Sequence, residues 1–401
     1  MSDVALRIAA PTAAGGVVGR AGIVAEILDR GRAAALRDDW LDLLGRCDLP
    51  NVFMDPVMFA AADPGAEWRA LAAFRPLSGR RELIGFWLLG LGRPRRSGLP
   101  VLVLNAPADQ YGYLASPILD RTHAAAALNA MLDRISAEPA LPKIVALDMM
   151  PSGAVRAVLD RVLAARGTHP LQLELRRRPL LNASSVGGTA ALDLSASTRK
   201  KLRQHRRRLA ERHDLRYTIA TDPAAVAGEV DAFLAMEAAG WKGRAGTALA
   251  ADPAAAGFVR QAMTTLASQG AASVHSLRAD GKPVSVQLML RCGAAAYTWK
   301  TAFDETYADY SPGVLLLEDY TAHLLADPAL AFVDSCSFDE TGMMAAWSGR
   351  QEVADIWIDV RRAGSLQFAL LAKIQIAVRA ARDLAKRARA KLRRMPRRWR
   401  P

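Results

Sequence analysis

The run SVHSLRADGKPVSVQLMLRCGAAAYTWKTAF, Ser273 to Phe303, decides how the chain folds. It holds three apolar stretches, 273–278, 284–291 and 294–303, each of strand length and each bounded by turn residues. Asp280-Gly281 separates the first two. A two-residue type I′ turn needs positive φ at both central positions, which Asp and Gly tolerate, so this dipeptide predicts an antiparallel hairpin. Cys292-Gly293 turns the chain into the third strand. A polar loop over 304–311 meets Pro312, and the pattern then predicts a helix from Pro312 to about Leu325, a strand over 332–335, a helix over 341–350 and a last strand over 353–360.

Working outward, the same order is written upstream. Strands are predicted over 68–74, 83–91 and 101–104, with Ser78-Gly79 as the first turn. A polar loop carrying Asp109, Tyr111 and Gly112 follows, then a helix over 122–137, a strand over 144–149, a helix over 152–166 and a strand over 171–176. The two halves are joined by a Gly/Ser/Ala-rich stretch, 182–189. This self-similarity predicts a tandem duplication of a mixed α/β unit with largely antiparallel sheets. The expected division is a loosely ordered 1–22, a first domain over 23–181, a second over 190–360 and a tail over 361–401. A helix is expected at 24–46, stopped before Pro50.

Composition agrees with two cores: 401 residues, 51% hydrophobic. No run approaches 18 apolar residues, and Asp3, Pro11, Gly15 and Gly16 break up the start, so neither a spanning helix nor a secretory leader is expected. Three widely spaced cysteines (Cys47, Cys292, Cys336) argue against a disulfide framework, and six histidines without HxxH or HExxH spacing argue against a metal site. A cytoplasmic location is the resulting expectation. GxSxG, GxxxxGK[ST] and a strand-linked GxGxxG are all absent from the sequence. The net charge of +13 is confined: residues 361–401 hold fourteen Arg and Lys against one acid, Asp383, so the rest is close to neutral.

Three stretches could carry chemistry. In YTWKTAFDETYADYSPG (297–313) a strand brings Tyr297, Trp299 and Lys300 up to the carboxylates Asp304 and Glu305. Its end, Ser311-Pro312-Gly313, opens a helix whose first N–H groups could take an anion such as a pyrophosphate, or could belong to an ordinary capped helix. In MEAAGWKGRAGTAL (236–249) Glu237 precedes a loop with Trp241, Lys242 and Arg244 among glycines, a mobile cover for a substrate or a plain helix end. In FVDSCSFDE (332–340) a strand ends in Asp334, followed by Asp339 and Glu340, with Trp347 and Arg350 beyond. Cys336 lacks an evident His partner and is a poor candidate nucleophile. Two basic stretches complete the set: RKKLRQHRRRLAER (199–212), and a tail helix with Leu370, Ile374, Ala377, Ala381, Leu384 and Ala388 on one face and Arg379, Arg382, Lys386, Arg389 and Arg393 opposite. The tail pattern fits a helix lying on an anionic membrane surface, a helix packed on the body, or a nucleic-acid arm.

On Glu237 with GWKGRAGTAL (240–249), LRADGKPVSVQLML (277–290), WKTAFDE with SPGVLL (299–305, 311–316) and VDSC (333–336), the second half resembles the CelD-like GNAT acyltransferases, related to the tandem FemAB fold. LPNVFMDPVMFAAA (49–62) matches more weakly. The resemblance covers about 25–360. It implies tandem GNAT-like domains with ligand in the second, acyl-CoA as co-substrate with no resident cofactor, and an amine or hydroxyl acceptor in envelope polysaccharide or lipid metabolism, such as a sphingoid base. It further implies a base among Glu237, Asp304 and Asp334, with Lys300 orienting the acceptor. Trp299, Ser311, Pro312 and Gly313 would then hold the donor, and Trp241, Lys242, Tyr297 and Arg350 the substrate. The GNAT phosphate loop [QR]xxGx[GA] is replaced here by Asp309-Tyr310-Ser311-Pro312-Gly313. That leaves open a FemAB-like aminoacyl-tRNA donor, or a non-catalytic accessory role. A membrane surface is an expected partner of the tail; nucleic acid is not the expected one.

Overall fold

The computed structural model describes residues 17–18, 22–62, 67–95, 99–182, 192–337 and 342–394, with side chains left aside at 17–18, 383 and 386–394. The chain forms two compact units, one of residues 1–33, 67–175 and 354–401, the other of 34–66 and 176–353. The divisions between them fall within the helix Arg30–Ala35, just before the strand Trp68–Leu77, and within the strands Leu171–Asn182 and Gly349–Asp359.

In the first unit, strands Val24–Leu28, Trp68–Leu77, Arg80–Gly92 and Val103–Ala106 pair antiparallel in that order. Ile144–Pro151 then joins Val103–Ala106 in parallel. The Ser78-Gly79 turn has φ of 47° and 83°, so both central residues are left-handed, as the hairpin twist demands. The expected helix at 24–46 is instead a strand, Val24–Leu28, followed by helices Arg30–Ala35 and Arg37–Arg46. Pairing with Trp68–Leu77, with Val24 opposite Phe74 and Leu28 opposite Ala70, buries Ala25 and Leu28 and suits the β-branched Val24 and Ile27.

The second unit repeats the order. Asp280-Gly281 turns with φ of 51° and 76°, joining Ala272–Ala279 to Lys282–Cys292. Ala295–Phe303 pairs antiparallel with the latter and parallel with Phe332–Asp334, after the helix Pro312–Leu325. The strand Leu215–Ala220 adds to one edge, and the end of Leu171–Asn182 pairs with Phe332–Asp334. The expected helix at 341–350 is a short 3₁₀ turn, Met343–Ala346, before the strand Gly349–Asp359. Its Gly349 lies against the Leu180 carbonyl of the neighbouring strand, where an added Cβ would sit 2.4 Å away, so only glycine allows this close an approach.

Residues 34–66 cluster with this unit because their apolar side chains have their partners here. Phe53 packs edge-on against Tyr297, whose hydroxyl donates to the Pro50 carbonyl. The core also takes in Leu315, Leu316, Tyr320, Val333 and Trp347. The chain is thus a mixed α/β protein of two units with a similar order of strands, followed by a long C-terminal helix, Leu366–Arg394. Among the described residues, no helix is long and apolar enough to cross a membrane.

Candidate functional site

Two features of the third strand, Ala295–Phe303, set up the site. Leu288 pairs with Lys300 but Met289 pairs with Thr298, so Trp299 is the extra residue of a β-bulge. A bulge leaves backbone groups without ladder partners. Here the buried Gln287 amide takes up that demand, donating at 2.9 Å to the carbonyls of Leu288 and Lys300. The parallel pairing with Phe332–Asp334 ends at Tyr297↔Asp334, while the strand runs on for six residues. Thr298 Oγ1 still reaches the Ser335 carbonyl at 2.8 Å. After that the partner chain turns off, with Cys336 at φ 50°.

The end of the strand borders a cleft of about 200 Å³, lined by Thr301, Ala302, Phe303, Met236, Gly313 and Met343. Glu237, Trp241, Lys242 and Glu305 line it as well. An open depression of about 610 Å³ shares Met236, Gly240 and Glu305 with the cleft and adds Asp304, Thr306 and Arg244.

The 240–249 loop, expected to be mobile, is held at four points. Glu237, near the end of the helix Pro223–Ala239, is buried. Its Oε1 accepts from Lys242 Nζ at 2.6 Å and its Oε2 from the Leu249 N–H at 2.7 Å. Glu305 accepts from the Trp241 N–H at 2.7 Å and from Arg244 at 2.8 Å. These two bonds, the Arg244 one first, hold the Glu305 carboxyl below its usual range. Gly243 packs directly on the helix end: a Cβ there would lie 1.7 Å from the Ala238 carbonyl oxygen. Trp241 remains exposed at the cleft mouth.

Asp304 is different. Its Oδ1 takes both Thr306 bonds, from the N–H at 2.9 Å and the hydroxyl at 2.7 Å. Its Oδ2 accepts no hydrogen bond among the described residues, and the side chain lines the open depression. Of the three carboxylates at the site, Asp304 alone has an oxygen without a hydrogen bond among the described residues.

At the helix Pro312–Leu325, Ser311 adopts a left-handed conformation (φ 54°, ψ 51°) and makes no side-chain cap; Pro312 is buried at the first helical position. Gly313 opens onto the cleft, where a Cβ would meet Met343 Sδ at 3.4 Å and Phe303 at 3.9 Å.

Other expected site residues are brought elsewhere. Tyr297 is fully buried against Phe53 and Phe332. Trp299 is buried edge-on to Phe258, so its ring serves the core. Asp334 forms a buried ion pair with Arg178 at 3.0 Å and accepts from the Cys336 N–H. Its charge is therefore spent on structure. Arg350 donates to the carbonyls of Ala345, Trp347 and Gly349, fastening the turn before its own strand. Lys300 is half-buried on the strand, opposite Leu288. Asp339 and Glu340 lie outside the described residues. Burial raises the Cys336 thiol well above its usual range and that of Cys292 to about 12, which removes both as thiolate nucleophiles near neutral pH.

A second cavity, of about 190 Å³, contains Ser273, His275 and His323. His275 bonds through both ring nitrogens, to Tyr217 at 2.6 Å and Ser273 at 3.1 Å. Burial, with the neighbouring His323, lowers it to about 3, so it stays neutral and is a weak base. It is a satisfied core histidine.

Comparison with known proteins agrees with this architecture. Residues 196–337 match the family model described as acetyltransferase (GNAT) domain. The second unit thus carries a GNAT-type domain. Among solved structures, the chain is similar to the C-terminal DUF2156 domain of a putative lysylphosphatidylglycerol synthetase from Agrobacterium fabrum (14% identity, 87% of this chain and 96% of that one, TM-score 0.50). FemX matches at 11% identity over 82% of this chain and 96% of its own (TM-score 0.48). A conserved protein of unknown function from Bacteroides thetaiotaomicron matches at 12% over 80% and 97% (TM-score 0.48). At 14% identity the first of these likenesses speaks for fold alone. Among curated proteins, none is similar enough in sequence to count as a match.

Proposed function

We propose that the second unit transfers an acyl group from acyl-CoA to an amine or hydroxyl acceptor at the cleft beside Thr301–Phe303. The observation that carries this reading is the third strand's run past its parallel partner, inside a segment that matches the GNAT family. A strand end bordering a narrow apolar cleft can lay a thin acyl-thioester arm along its backbone. Donor phosphates would sit toward Gly313 at the start of the Pro312–Leu325 helix.

An amine acceptor must lose a proton during attack, and Asp304 Oδ2 is placed to take it. The amine nitrogen attacks the thioester carbonyl, the C–S bond breaks, and the thiolate leaves with coenzyme A. Glu237 then acts as the anchor of the loop through Lys242 and Leu249, and Lys242 and Trp241 stand at the acceptor entrance. The acceptor class we favour is an envelope sugar or a lipid amine.

The test follows thiol release from acyl-CoA of several chain lengths with a panel of amines. Asp304→Asn should lower kcat by about 10²–10³-fold. Full activity in Asp304→Asn removes the base assignment, and no thiol release with any donor removes acyl-CoA.

A second reading, an aminoacyl-tRNA donor, draws on the helix Ala196–Ala210. Arg199, Lys200, Lys201, Arg203, Arg207 and Arg208 are exposed along it, whereas Arg206 is engaged by Asp319 and the Leu315 carbonyl. It requires tRNA binding that falls steeply with salt and is lost in Arg199→Ala/Arg203→Ala/Arg207→Ala.

A further inference from the structure

The long helix Leu366–Arg394 docks on its own unit by one face only. Phe368 and Leu371 pack with Val103, Ile144 and Trp357. About two turns further on, Arg379 donates to the Leu173 carbonyl and pairs with Glu174. The remaining face is turned outward, and it is apolar. Leu366 is 91% exposed, Leu370 60%, Ile374 40% and Leu384 70%. With Ala377 and Ala381, also exposed, these recur at spacings of three and four, so they form one continuous stripe. From Leu366 to Leu384 the stripe is about 27 Å long. A soluble surface does not ordinarily leave four large aliphatic side chains in one row.

We infer that this stripe lies on the surface of an anionic lipid bilayer. The charge around it selects that occupant. Residues 361–401 carry fourteen Arg and Lys and one acid, whereas the rest of the chain is close to neutral. Of these, Lys373 is exposed on the helix beside the stripe, and Arg382 is exposed further round it. Aliphatic side chains flanked by bases match the acyl boundary and the phosphate plane of such a membrane together. A nucleic acid would satisfy the bases and leave the leucines in water. A second copy of this chain would cover the leucines and bring two strongly basic segments together. The helix holds to its unit through the other face, so membrane contact leaves the fold intact. The inference stands independently of which donor the second unit uses.

The test is flotation of the full chain with vesicles of phosphatidylcholine alone or with about 30% phosphatidylglycerol. Binding is expected only to the anionic vesicles, and it should weaken as salt rises from about 0.1 to 0.5 M and the Debye length shortens. Leu370→Glu/Ile374→Glu/Leu384→Glu should reduce it at least about tenfold, because it removes apolar contact and adds three negative charges. Leu366→Glu, at the most exposed position, gives a second reading should the triple variant fold poorly, and an about threefold loss is expected there. Three results each overturn the inference: equal binding to neutral vesicles, unchanged binding in both variants, or no vesicle binding with the stripe instead mediating a concentration-dependent dimer or a complex with RNA.

Discussion

The two repeats share one order of elements and part company at the third strand. In the first unit this strand, Val103–Ala106, is four residues long and matched by its parallel partner over Leu104–Ala106. The chain that follows folds back over the sheet: the Ala108 carbonyl closes on Gly90, and Tyr113, Leu114, Ala115 and Ser116 are buried. In the second unit the strand runs nine residues and outlasts its partner, and its end borders the cleft. One unit uses its strand end as core; in the other the strand end borders an open cleft. The ladder is alike in the two units, while a few residues of strand length and a covering loop decide whether a cleft opens at its end.

The largest effect tests the element that holds the second unit's sheet beside the opening. Arg178 and Asp334 are both buried, and removing one charge strands the other. Arg178→Leu should cost about 3–5 kcal/mol in chemical denaturation. A loss under about 1 kcal/mol would mean that the strand end does not depend on this pair. Next come two glycines, one in each unit, that lie against a backbone carbonyl. A Cβ at Gly90 would lie 2.3 Å from the Ala108 carbonyl oxygen, and at Gly243 1.7 Å from that of Ala238. Each Gly→Ala change should cost about 2–3 kcal/mol. Their kinetics should separate. Measured well below the melting temperature, Gly243→Ala should lower kcat/KM at least about tenfold by displacing Trp241 and Lys242, with Gly90→Ala leaving it unchanged. Equal kinetic losses would break the contrast between the repeats.

The repeats also differ in what they bury in their first strand. Trp68–Leu77 buries Ala70, Leu71, Ala72, Ala73 and Phe74, all apolar, whereas Ala272–Ala279 buries His275 and Ser276. Burial lowers His275 in the folded state to about 3 from the usual 6.5. Below pH 6.5 the unfolded chain takes a proton that the folded one refuses. Stability is therefore full above that pH and falls by about 1.4 kcal/mol per pH unit until the folded value is reached. By pH 5 the loss from this group is about 2 kcal/mol. Hydrogen exchange should show strand 272–279 opening before strand 68–77 as pH falls, and His275→Gln should flatten the slope by one proton. An unchanged slope would show that His275 is protonated while folded.

Much of this contrast was legible in the sequence, and its limits have a physical cause. Asp280-Gly281 and Ser78-Gly79 announce their hairpins because the dihedral demand is local. Pro312 marks the start of its helix for the same reason. The loop after Glu237 was legible through its glycines, and the Glu237–Leu249 bond that holds it spans only twelve residues. What stayed hidden is long-range. Tyr297 and Asp334 look like cleft residues at a strand end, yet Pro50 and Arg178, far off in sequence, draw them into the core. The bulge at Trp299 depends on Gln287 lying beneath it, and apolar alternation gives no sign of that. Val24–Leu28 reads as helix until Trp68–Leu77 offers it an edge.

The smallest expected effect bears most directly on the cleft. Gly313 stands where the helix Pro312–Leu325 begins, and a Cβ there would make ordinary contact with Phe303 and a close one with Met343, whose thioether arm can move. Gly313→Ala should therefore keep stability within about 0.5 kcal/mol, since alanine also favours the helix. A longer side chain has only the cleft to enter. Gly313→Leu should fold with a near-wild-type melting temperature and raise the donor KM about tenfold, near 1.4 kcal/mol, with kcat changed much less. A tenfold fall in kcat at constant KM would put the helix start beside the reacting carbonyl and not along the donor's arm. An unchanged KM and kcat would show that the narrow cleft is not where the donor lies, and would shift attention to the open depression around Asp304, which this substitution does not reach.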